Sequence, residues 1–159
     1  MPTDATAIPG IDTIQAKGCF MTCIGMLGGL DPEAMDVLLS RYNGFTVNTN
    51  NTPDLKVDTA ALVAGLQYAG PVPYSQDEIL KQFNQGNDVV INMTHTYTRK
   101  SDGKTITGPH YVVVTGVGIN PITHQCDFTV DDPGGRLQYL SSFARLDNAV
   151  FKNIRVFIP

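Results

Sequence analysis

Cysteine is scarce in this chain, with three residues in 159. Small secreted proteins that lack a large core usually rely on several disulfides, and three thiols cannot build such a framework. Because the number is odd, at least one thiol has no partner within the chain. The sequence therefore argues against a disulfide scaffold and indicates that a free thiol is available for chemistry.

Basic side chains are also few. Eleven Lys and Arg stand against fifteen Asp and Glu, which gives a formal net charge of −4, and no Lys/Arg run or interleaving of basic and aromatic residues occurs. Nucleic acids and anionic membranes attract concentrated positive charge. We therefore expect neither as the partner.

Long apolar runs are missing as well. No segment approaches the roughly 20 apolar residues of a membrane-spanning helix, and the first ten residues contain neither the basic nor the apolar region of an export signal. We expect a soluble protein that is cytoplasmic or delivered by a signal-independent route. The length and the 42 % hydrophobic content predict a single domain over 1–159, with residues 1–14 as an extended lead-in.

Helical signals occupy the first half of the chain. Apolar residues recur at three- and four-residue steps, and capping residues or Gly-Pro pairs mark the boundaries. The patterns predict four helices, which begin at Cys19, after Asp31, near Asp58 and after Ser75, and end near Gly28, Tyr42, Gly70 and Gly86.

Strand signals replace them after Gly86. Residues 89–93 form a β-branched run, 94–109 carry an Asp-Gly turn signal, and 111–117 form the strongest strand pattern; 126–130, 137–140 and 154–158 are candidate partners. Helices followed by strands indicate an α+β fold, with N-terminal helices packed on a mostly antiparallel C-terminal sheet.

Cys19 is the candidate nucleophile because it stands where the first helix is expected to begin. Unpaired N–H groups and the helix dipole at such a position favour the reactive thiolate. Cys23, one turn later, is the rival, but it falls on the apolar face with Ile24 and Leu27. Cys126 flanks a strand and is expected to be structural.

Three further residues can complete a thiol site at the ends of predicted elements. His110 precedes the strongest strand and can act as base, Asp132 follows a strand and can orient the imidazole, and Gln15 can donate to an oxyanion. Asp131 is an alternative carboxylate, although strand alternation lets only one of the two aspartates face His110. His95 and His124 lie in polar contexts and are expected to be solvated.

No Cys-x-x-Cys or His-Glu-x-x-His spacing is present, so no metal or other cofactor is predicted.

The order of these motifs resembles a known family. Gln-x-x-x-Gly-Cys-x-x-Thr-x-x-x-Met-Leu from Gln15, His-Tyr-Val-Val-Val-Thr-Gly from His110 and Asp-Pro at Asp132 are similar to papain-like cysteine peptidases, in particular bacterial peptidases related to the double-glycine leader peptidases of bacteriocin exporters. The likeness covers about residues 11–135. Gln15 precedes Cys19 by a slightly shorter gap than the family usually has.

The resemblance implies a papain-like fold and a bacterial or phage-associated cysteine peptidase. It assigns Cys19 as nucleophile, His110 as base and later acid, Asp132 as orienter, and Gln15 with the Cys19 amide as oxyanion hole. The expected substrate is a peptide, a protein or a peptidoglycan-type amide. Two alternatives stay open: an inactive module that binds a peptide or protein, and an acyl transferase that uses the same thiol.

Overall fold

The computed structural model describes residues 14–47 and 53–159. In these residues the chain forms five helices and seven strands. The helices are α1 Ile14–Gly28, α2 Pro32–Arg41, α3 Val57–Val63, α4 Gln76–Asn84 and α5 Leu140–Asp147. The strands are β1 Phe45–Val47, β2 Pro53–Leu55, β3 Gln67–Pro73, β4 Asp88–Thr98, β5 Thr105–Ile119, β6 Cys126–Asp131 and β7 Val150–Ile158.

Five of the strands form one sheet in the order β3-β7-β4-β5-β6, and every neighbouring pair is antiparallel. β1 and β2 form a separate antiparallel pair. The predicted α+β class with a mostly antiparallel sheet is therefore confirmed at this level. The helices are less segregated than expected, because α5 follows β6 along the chain.

The large sheet is covered on both faces. One apolar cluster joins α1, α2 and α3 to Val90, Val113 and Phe157, and a second joins α4 and α5 to their strand neighbours Val89 and Val112. Since successive strand residues point to opposite faces, the two clusters lie on opposite sides of the sheet. The central strands β4 and β5 thus carry two cores at once.

The helices with clear capping signals begin where the sequence predicts. Asp31 caps α2 by accepting the Ala34 N–H at 2.7 Å. Ser75 caps α4 by accepting the Glu78 N–H at 3.0 Å. These side chains satisfy N–H groups that a helix leaves unpaired in its first turn.

The predicted third helix is too long. α3 stops at Val63, and residues 67–73 form the edge strand β3 instead. Pro71 and Pro73 fit this position because an edge strand does not need every N–H for pairing. Gly70 has a φ of +93° beside a register shift between β3 and β7, so it accommodates an irregularity in the strand rather than ending a helix.

The predicted strand at 137–140 is also wrong. Tyr139 makes one isolated bridge to Thr129, and Leu140 begins α5. Leu140, Phe143 and Asp147 are buried on one side of this helix at three- and four-residue spacing. Burial against the sheet outweighs the weak local strand signal.

The hairpin signal in 94–109 is confirmed, although the strands reach further than expected. β4 and β5 pair from Val90 and Val113 out to Thr98 and Thr105, and the Asp102-Gly103 turn follows. Arg99 and Asp102 form an ion pair beside it. The lead-in predicted for residues 1–14 falls outside the described residues except for Ile14, which is helical. Residues 48–52 fall outside them as well. Among the helices described, none has the length and apolar character to cross a membrane.

Gly28 provides a test of how α1 packs. A Cβ built at Gly28 would lie within 3.0 Å of three atoms of Ala64, two of which belong to its backbone. We expect Gly28→Ala to lower the free energy of unfolding by about 1–3 kcal/mol, because the backbone of Ala64 cannot move aside without cost. Urea denaturation measures this change.

Gly108→Ala is the control for this substitution. A Cβ at Gly108 meets no atom within 4 Å, and the residue has no positive φ. An equal loss of stability in both variants would contradict the close contact between α1 and α3.

Candidate active site

Cys19 lies in α1 and is half-buried. α1 begins at Ile14, so Cys19 is not the residue that opens the helix. This corrects the expectation from the sequence, because only the first four N–H groups of a helix lack an intrahelical partner. Any activation of the thiol must therefore come from side chains that approach it rather than from the helix terminus.

One such side chain is His110, which lies within β5 and not at the start of the strand as the sequence suggested. The Cys19 thiol hydrogen-bonds to the imidazole of His110. On the other side of the ring, Nε2 lies 2.7 Å from Oδ1 of Asp132. With Nε2 engaged by the carboxylate, Nδ1 is the nitrogen that remains for the sulfur. The structure thus connects three predicted residues, Cys19, His110 and Asp132, in one hydrogen-bonded line.

Asp132 is oriented by the turn that follows β6. Its Oδ1 accepts the Gly134 N–H at 2.9 Å, and its Oδ2 accepts the Arg136 N–H at 3.0 Å. The carboxylate therefore organises the turn and holds His110 at the same time. Asp131, the alternative carboxylate, is exposed at the end of β6. Alternation along the strand separates the two aspartates, as the sequence predicted.

The electrostatics of this line favour a charged pair. Burial alone would lower the pKa of His110, but its hydrogen bonds to Asp132 and Cys19, together with the negative charges of both partners, raise the pKa to about 9. Burial likewise opposes ionisation of Asp132, yet the bonds from His110 and from the Gly134 and Arg136 amides lower the pKa of its carboxyl to about 2. At neutral pH, His110 is an imidazolium paired with the Asp132 carboxylate.

Cys23 is a core residue, as predicted. It is fully buried, and its Sγ donates to the backbone oxygen of Tyr111 at 3.4 Å. Burial, with the nearby negative charges of Cys19, Asp132 and Asp131, raises its thiol pKa well above the ordinary value. Cys23 therefore stays protonated and anchors α1 to β5, while Cys126 is exposed at the start of β6.

Gln15 lies in the first turn of α1, and its side chain is outside the described part of the chain. The Cys19 amide was the second predicted oxyanion donor. Helical geometry pairs the N–H of residue 19 with the carbonyl of residue 15, so this amide belongs to the helix ladder.

His95 differs from the sequence expectation. It lies in β4 with only 6 % of its surface exposed, and its Nδ1 is 3.0 Å from Oδ2 of Asp147. Its ring stacks on His110, with centroids 4.5 Å apart and planes inclined by 8°. The signal for this placement was available, because the Thr- and Tyr-rich residues after Met93 suit a continuing strand, and His95 then faces the same side as Met93.

Arg136 and Asp147 were also missed. The Arg136 guanidinium binds Asp147 through two hydrogen bonds of 2.7 and 2.9 Å. It also lies 4.7 Å from the centre of the Tyr97 ring. His124, the third histidine, is exposed, as predicted. Among the described residues, no group of three or more His, Cys, Asp or Glu side chains could hold a metal ion.

Comparison with family models, curated proteins and solved structures finds no match to this chain. The family resemblance of the motifs therefore stays a prediction.

The pKa of His110 can be measured directly. We expect its ring to titrate near pH 9 in an NMR experiment. The contribution of the shift to stability is complete below the unfolded value of about 6.5 and is lost as the pH rises through 9. Asp132→Asn should bring the titration well below 9, because the amide carries no charge.

Asp131→Asn is the matched control, since it removes the same charge one residue away on the exposed side of the strand. Similar titration midpoints for the two variants would mean that Asp132 does not hold the imidazolium.

Proposed function

We propose that this protein is a papain-like cysteine peptidase or related thiol amide hydrolase, with Cys19 as nucleophile, His110 as general base and acid, and Asp132 as orienting carboxylate. The observation that carries the proposal is the hydrogen-bonded line from the Cys19 thiol through His110 to Asp132. A nucleophile, a base and an orienter in this order form the minimal apparatus for covalent amide hydrolysis.

The chemistry of acylation follows from the charges. In the reactive form the thiol proton is on His110, and the Cys19 thiolate attacks the substrate carbonyl carbon, forming a C–S bond and a tetrahedral oxyanion. Collapse of this intermediate breaks the C–N bond, and the His110 proton passes to the leaving amine. Asp132 stays ionised throughout and steadies the imidazolium without taking the proton.

Deacylation reverses these roles. Neutral His110 takes a proton from water, and the resulting hydroxide attacks the thioester carbon. The C–S bond breaks, the carboxylic acid leaves, and the proton on His110 again faces the thiolate. If an amine takes the place of water, the same acyl-enzyme gives acyl transfer, so the products distinguish the two reactions.

The architecture supports a papain-like assignment in three respects. The thiol lies on the first helix, the imidazole lies on a central antiparallel strand, and the carboxylate follows the neighbouring strand. This order of elements agrees with the motifs at Cys19, His110 and Asp132. A peptide or protein is the proposed substrate, because the reaction acts on an amide.

The position of Cys19 inside α1 favours a second candidate. Its N–H is part of the helix ladder and cannot serve as a free oxyanion donor, and loss of one such donor costs enzymes about 100- to 1000-fold in rate. A module that binds a peptide without cleaving it fits this feature. The second candidate predicts peptide binding that persists in Cys19→Ala and is accompanied by no cleavage in the unmodified protein.

Hydrolysis is tested with a mixed peptide library analysed by mass spectrometry. We expect Cys19→Ala and His110→Ala each to abolish cleavage and Cys19→Ala to abolish labelling at this position by a thiol-directed acylating probe, because each variant removes a reacting group. Digestion of the labelled protein, followed by mass spectrometry of its peptides, identifies the residue that carries the probe.

Cys126→Ser is the control, because it removes the exposed thiol at the start of β6 and should cleave at the unmodified rate. Undiminished cleavage by Cys19→Ala would contradict the proposed mechanism. Added amines that appear in the products would redirect it to acyl transfer.

A further inference from the structure

A second histidine–aspartate pair lies directly beside the first. His95 pairs with Asp147, as His110 pairs with Asp132, and the two rings are stacked almost parallel. The register of the hairpin explains why they meet: Met93 in β4 lies opposite His110 in β5, and His95 is two residues further along on the same face.

Arg136 joins the two pairs. Its backbone N–H donates to Asp132, and its guanidinium binds both oxygens of Asp147. The turn after β6 therefore fixes the carboxylate that holds His110 and the one that holds His95. A movement of either aspartate is opposed by the same residue.

The stacked rings are enclosed by aromatic side chains. Phe143 of α5 lies 5.7 Å from the His110 centroid and 6.3 Å from the His95 centroid, and Tyr97 lies 4.9 Å from His95. This packing leaves the His110 ring little freedom to rotate, because interior side chains are densely packed.

The charges make the stack compatible with catalysis. Burial and the charge on His110 lower the pKa of His95, while Asp147 opposes that shift and Arg136 adds to it. His95 therefore remains neutral when His110 is an imidazolium. Two charged rings in face-to-face contact would repel each other and separate.

We propose that His95 is a positioning residue whose ring, held by Asp147 and Arg136, keeps the His110 imidazole in the plane in which Nε2 meets Asp132 and Nδ1 faces Cys19. In this role His95 acts only through its contact with the His110 ring and neither donates nor accepts a proton in the reaction. The role presupposes that His110 is the base of the proposed function, but its effect on the His110 ring is measurable without a substrate.

The test compares His95→Ala, which removes the ring, with His95→Phe, which retains a flat ring over His110. Both are made in a Cys126→Ser background, so that the exposed thiol does not react. The readouts are the rate of Cys19 alkylation by iodoacetamide across the pH range and the NMR titration of the His110 ring.

We expect His95→Ala to slow alkylation at neutral pH by about tenfold to a hundredfold, the range in which small misplacements of a reacting group fall. The titration of His110 should move from about 9 towards its ordinary value, because the bond to Asp132 loosens. His95→Phe should stay close to the parent in both readouts.

His124→Asn is the control, since His124 is exposed and has a φ of +59° that asparagine tolerates. Circular dichroism checks folding. If His95→Ala does not fold, His95→Asn replaces it, because its amide nitrogen stands near the position of Nδ1 and can still donate to Asp147 while the ring is absent.

If the folded variant without the ring shows the parent's rate of Cys19 alkylation and the parent's His110 titration, the positioning role is overturned. It is also overturned if that variant and His95→Phe lose alkylation rate equally. Absence of peptide cleavage by the unmodified protein would count against the proposed hydrolase, yet it would leave the expected shift of the His110 titration intact. The failure of one proposal is thus distinguishable from failure of the other.

Discussion

The hydrogen bond between His110 and Asp132 is the interaction on which the rest of the site depends. It is 2.7 Å long and largely shielded from water, and it holds a positive and a negative charge in contact. Buried charges are tolerated only when they are paired and hydrogen-bonded. The Gly134 and Arg136 amides supply the additional bonds that Asp132 requires, so the turn after β6 is part of the site.

The sheet makes that contact possible by pairing β5 with β6. Because β6 lies beside β5, the residue that follows β6 comes close to the strand that carries His110. α1 packs on β5 as well, and Cys23 hydrogen-bonds to the backbone oxygen of Tyr111. Cys19 lies one helical turn before Cys23, so this contact holds Cys19 close to His110. The two cysteines therefore have different roles: Cys23 fixes α1 to β5, and Cys19 faces the His110 imidazole.

Local signals predicted those elements that short-range physics governs. Asp31 and Ser75 cap α2 and α4 because a side-chain oxygen can satisfy nearby helix N–H groups without help from the rest of the chain. β3 and α5 were missed for the opposite reason. β3 gains its stability by pairing with β7, and α5 by burying Phe143 against the sheet, so neither is decided by its own residues.

The sequence by itself determined the chemistry that is available: two thiols on a mostly apolar helix, one histidine before a β-branched run, and two adjacent aspartates that alternation must separate. Only the tertiary structure decided which of these groups meet. It brought Asp132 rather than Asp131 to His110, buried His95 against the same ring and placed Cys19 inside α1 rather than at its start. These outcomes depend on strand register and helix docking, which arise from contacts between residues far apart in the chain.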